Sequence, residues 1–68
     1  MDEGVELEFS FDRLWVVASC RMDRCGMAPG TLRLSIFNEG GIPIRRSDFP
    51  EGVYDVARRN IHQKIQSS

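Results

Sequence analysis

Val5, Leu7, Phe9 and Phe11 alternate with Glu6, Glu8 and Ser10. This period of two marks a half-buried strand with one apolar and one polar side. Asp12-Arg13 separates it from Leu14-Trp15-Val16-Val17-Ala18-Ser19-Cys20, a run rich in β-branched and aromatic residues, so the two runs read as a hairpin. The Asp-Arg pair is a weak signal for a type I′ turn, which leaves the register between the strands open. The second run is apolar on both sides: Leu14, Val16, Ala18 and Cys20 fall on one, Trp15 and Val17 on the other.

Arg21 to Gly30, RMDRCGMAPG, carries a Gly, a Pro-Gly pair and no recognised period, and reads as a ten-residue loop. Alternation resumes from Thr31 to Phe37, with Leu32, Leu34 and Ile36 inward and Thr31, Arg33 and Ser35 outward. Asn38-Glu39-Gly40-Gly41 follows as a turn, then Ile42-Pro43-Ile44 as a short strand that Pro43 confines to a sheet edge. Asp48-Phe49-Pro50-Glu51 has the spacing of a capping box, with Asp48 in the cap role and Pro50 in the first helical turn. Beyond it the period changes to 3.6. Val53, Tyr54, Val56, Ala57, Ile61 and Ile65 form one helical face, while Asp55, Arg58, Arg59, His62, Gln63 and Gln66 take the other. Gly52 argues that regular helix begins only at Val53 and runs to about Gln66. Asp55 and Arg59 are spaced for an i, i+4 pair.

The expected architecture is α+β, a small antiparallel sheet of three to four strands followed by one C-terminal helix, in the order β-β-β-β-α. Phe9, Leu34, Ile36, Ala57 and Ile61 are the expected core. One helix covers one sheet face, so Trp15 and Val17, with Phe37 if its strand stays regular, are expected on the uncovered side. The alternatives are that the 21–30 loop folds back over that side, or that the strands curl into a closed small barrel.

With 68 residues, the chain is one small domain, residues 1–68, and a chain of this size buries only about 60% of the surface its unfolded form exposes. The apolar fraction of 41% and charged fraction of 28% are those of a globular protein rather than of a disordered chain. No apolar run approaches the roughly 20 residues of a membrane-spanning helix, and the acidic start Met1-Asp2-Glu3-Gly4 lacks a signal peptide's basic segment. A cytoplasmic location with no membrane partner is therefore expected. Net charge is −1, which excludes a strongly basic nucleic-acid binder. The first twelve residues nevertheless carry five acids and no base, leaving the remainder basic.

Cys20 and Cys25, with His62 far along the chain, do not complete a tetrahedral zinc site, and a structural disulfide is not expected without an export signal. Cys20 reads as a small apolar residue ending a strand and Cys25 as a loop thiol. Arg21 and Arg24 flank Cys25 and His62 is the one imidazole, which is too little for a nucleophilic site. No catalytic set, cofactor or metal site is expected. The chain reads as a non-catalytic interaction module that binds a host protein or pairs with itself as a homodimer. Its surface would hold Trp15 and Val17, bordered by Arg21, Arg24 and Arg33. Its size would suit a phage or plasmid product. The alternative is nucleic-acid binding through Arg45, Arg46, Arg58 and Arg59.

Overall fold

The computed structural model describes residues 3–24, 26–28 and 30–67. Cys25 and Pro29 lie outside the described residues, and with them the reading of Cys25 as a loop thiol. The order is β1 (Glu3–Phe11), β2 (Leu14–Asp23), β3 (Gly26–Met27), β4 (Arg33–Phe37), a 3-10 turn (Arg46–Asp48) and α1 (Val53–Ser67). The fold is thus α+β, a four-stranded antiparallel sheet followed by a C-terminal helix. β2 is the central strand: β1 pairs along one of its edges, and β3 and β4 both pair with it.

Asp12 and Arg13 resolve the register. Both sit in the left-handed region, at φ 50° and 65°, the pattern of a two-residue type I′ hairpin turn. The turn sets Phe11 opposite Leu14, and from there Phe9 meets Val16, Leu7 meets Ala18 and Val5 meets Cys20. Every apolar residue of β1 therefore faces the same side as the even-numbered residues of β2.

Segment 21–30 is not a plain loop. β2 continues to Asp23 and turns back, with Met22 opposite Met27 and Asp23 opposite Gly26. The period of two persists through Cys20-Arg21-Met22-Asp23, but its outward positions carry charges of both signs, which masked the strand. Thr31 lies outside β4. Its Oγ1 accepts from the Arg21 N–H at 3.0 Å and donates to the Ala28 carbonyl at 2.8 Å, so it closes the connection from β3 instead of joining the ladder.

Ile42–Ile44 forms a single bridge rather than a strand, Phe37 opposite Pro43. The bonds run beside that pair, from Asn38 N–H to Ile42 O at 3.0 Å and from Ile44 N–H to Ile36 O at 2.9 Å. The missing N–H of Pro43 is not required there. The capping box does not form either. Asp48 belongs to the 3-10 turn, and Pro50 drives the preceding Phe49 to extended geometry (φ −63°, ψ 135°), which ends that turn before α1 begins. α1 instead starts after Gly52, at φ +83°, whose carbonyl accepts from Val56 at 3.1 Å.

The core lies between the sheet and α1. Val16, Ile36 and Val53 form one buried cluster, and Ala18, Cys20, Ala57 and Ile61 another. Ile36, Ala57 and Ile61 are fully enclosed as expected, whereas Phe9 and Leu34 are half-buried and pack against both clusters, joining them. Phe49 and Tyr54 extend the first cluster through a tilted ring contact at 6.3 Å. No helix among the described residues is long and apolar enough to cross a membrane.

Candidate interaction face

Because Val16, Ala18 and Cys20 point to α1, the odd-numbered residues of β2 point to the other side of the sheet. The register then assembles three cross-strand rows on that side. Ser10, Trp15 and Phe37 make the first, and Pro43 extends it through its bridge to Phe37. Glu8, Val17 and Ser35 make the second. Glu6, Ser19 and Arg33 make the third, and Arg21 lies beyond it on β2.

The apolar part of this face is open. Trp15 is 46% exposed, and Val17 and Phe37 are half-buried. The described part of segment 21–32 lengthens the sheet at its far end and leaves Trp15 uncovered, so neither the folded-back loop nor the closed barrel is what forms. At the polar end, Ser19, Arg21, Gly30, Thr31 and Arg33 line an open depression of about 460 Å³. The Arg21 and Arg33 side chains are exposed there.

Trp15, Val17, Arg21 and Arg33 thus share one face. Arg24 is exposed in the turn that follows β2 and belongs to none of the three rows. Sequence patterning did not show that the acidic side of β1, Glu6 and Glu8, lies on the same surface as Trp15. The hairpin signal was present, but its register depended on two residues in a backbone region that their identities do not announce. Pro43 joined the surface only through the bridge to Phe37.

The other basic residues sit elsewhere. Arg45 and Arg46 are exposed at the 3-10 turn, and Arg58 and Arg59 on the outer side of α1. Asp55 pairs with Arg58 at 3.1 Å, an i, i+3 contact, and not with Arg59. Both partners are well exposed, so the pair adds little stability. His62, also on the outer side of α1, has its Nε2 3.1 Å from Gln66 Nε2. Cys20 is buried under the helix, which raises its thiol pKa by desolvation and makes it a packing residue. Among the described residues no group of three or more His, Cys, Asp or Glu side chains could hold a metal ion.

Fold and face together define a small α+β protein with one sheet surface under a helix and the other open, aromatic at one end and charged at the other. The chain matches no protein-family model, and no curated protein or solved structure is significantly similar to it.

Proposed function

We propose that this chain is a non-catalytic interaction module that docks on a protein surface through the open sheet face, with Trp15 as its anchor. The observation that carries the reading is the position of Trp15: a large aromatic side chain, 46% exposed, on the central strand of a sheet whose other face already holds the whole core. Tryptophan and arginine are the residue types that most often dominate binding energy, and Arg21 and Arg33 lie on the same face as Trp15, toward its charged end. A contiguous apolar patch rimmed by polar residues is the usual form of a protein-binding site.

The test is capture of proteins from the native host by wild type and by Trp15→Ser, followed by mass spectrometry. Trp15→Ser is expected to abolish capture while shifting stability by only about 1 kcal/mol, since half of the ring is already in solvent. Capture that survives Trp15→Ser but is lost in a variant with Arg45, Arg46, Arg58 and Arg59 replaced by Ala, or capture of nucleic acid instead of protein, overturns it.

A further inference from the structure

The charges on the open face are arranged asymmetrically across β2, and this asymmetry specifies a partner. In the third row Glu6 lies on one side of Ser19 and Arg33 on the other. Of the charges flanking β2 on this face, the acids Glu6 and Glu8 are on β1 and Arg33 is on β4, while β2 itself carries Arg21 and Asp23 beyond the third row. Neither the Glu6 carboxylate nor the Arg33 guanidinium is ion-paired within the chain among the described residues. About two strand spacings, roughly 10 Å, separate their backbones, with Ser19 between.

Resting on the reading of this face as a docking surface, we propose that its occupant is a second copy of the same chain, related by a two-fold axis running along β2. Two sheets stacked face to face by a two-fold axis have two simple choices for its direction. An axis across the strands sets β1 on β1 and β4 on β4, and since the outward residues of β4 are Arg33, Ser35 and Phe37, Arg33 then finds no acid opposite it. An axis along β2 exchanges β1 with β4 while keeping each row at its own level. The row Glu6–Ser19–Arg33 then lies against Arg33–Ser19–Glu6 of the second copy, and two ion pairs form at once. On the axis, Trp15 and Val17 meet their own counterparts, Arg21 and Asp23 do the same at the rim beyond the third row, and Ser10 lies against Phe37. The result is an aligned sandwich of two sheets with a helix on each outer face, a packing whose strands cross at about 30°. The face is small. Four strand positions and about five residues give roughly 300 Å² in projection, short of the 800 Å² per partner of a standard interface, so association is in the micromolar range or weaker.

Sedimentation equilibrium over a concentration series tests this with charge reversals. Wild type is expected to approach twice its 7.8 kDa mass as concentration rises. Glu6→Arg places Arg against Arg at both contacts and Arg33→Glu places Glu against Glu, so each single variant should dimerise at least tenfold more weakly. An equimolar mixture of the two variants should recover a dimer, because each chain then supplies the charge that the other lacks. The same charge changes on the helix side of the sheet, Glu51→Arg and Arg59→Glu, should leave wild-type association intact. Dimers indifferent to both reversals, or a mixture that stays monomeric, overturn the proposed pairing. A wild type that stays monomeric overturns the dimer. In that case capture of a host protein that Trp15→Ser abolishes would leave the docking face standing, and capture indifferent to Trp15 would remove both.

Discussion

Lys64 Nζ donates to the carbonyl oxygen of Glu6 at 2.6 Å, tying the last part of α1 to β1 across 58 residues of sequence. In a hairpin closed at Phe11 and Leu14, the odd residues of β1 exchange hydrogen bonds with β2, so the Glu6 carbonyl points to the free edge. The contact therefore occupies one acceptor on an edge that would otherwise be open to another strand. Lys64→Met keeps the stem and removes the donor. Its expected effect is a loss of about 1 kcal/mol or less, because the site is exposed, read as a Tm lowered by a few degrees. An unchanged Tm would show that water replaces the ammonium without loss.

Arg13 occupies the left-handed region at φ 65°, where an L-residue is disfavoured by about 1–2 kcal/mol and glycine is not. Arg13→Gly creates the Asp-Gly pair that type I′ turns prefer, and should raise Tm by roughly 4–8 °C for each kcal/mol recovered in a domain of this size. Gly52 gives the opposite sign. Its φ of +83° leads into α1 with open space where a Cβ would sit, so Gly52→Ala should destabilise through backbone strain alone. Thermal melts of the two variants should move in opposite directions.

Ile61 is fully enclosed with Ala18, Cys20 and Ala57. Ile61→Ala should lose about 2–5 kcal/mol by removing apolar contact and leaving a cavity. A domain this small has little stability to spare, so chemical denaturation should show the variant partly unfolded without denaturant. His62→Ala, one position away on the outer side, should stay within about 0.5 kcal/mol of wild type.

The thiol of Cys20 is held neutral by burial, which raises its pKa above the ordinary value of 9.0. The unfolded thiol therefore loses its proton first as pH rises. Its contribution to stability is complete below that ordinary value and declines above it, through the raised folded pKa. In a Cys25→Ser background, Cys20 should react with a bulky thiol reagent only when the protein unfolds. The stability lost between pH 8 and strongly alkaline pH should be smaller once Cys20→Ala is added. Rapid labelling of the native protein would place Cys20 outside the core.

Alternation and helical period are local properties, and they determined much of this protein. Val5 to Phe11 and Leu14 to Cys20 had to be strands, the stretch from Val53 a helix, and Trp15 and Val17 had to oppose Val16 and Ala18, because successive side chains on a strand point to opposite faces. What local pattern could not determine was anything that rests on a partner distant in the chain or on backbone energetics set by context. β2 ran on through Arg21 to Asp23 because Met27 came back to meet Met22, and Asp48 did not cap α1 because Pro50 held Phe49 extended. The candidate face depended most on tertiary structure. Glu6 stands opposite Ser19 because Asp12 and Arg13 both adopt left-handed geometry, and a shift of one residue there would have turned the acids of β1 toward the helix. Arg33 joins the row through the separate pairing of β4 with β2. Burial of Phe9, Leu7 and Val5 against α1 selects the observed register. That selection is a property of the packed sheet and not of any segment alone.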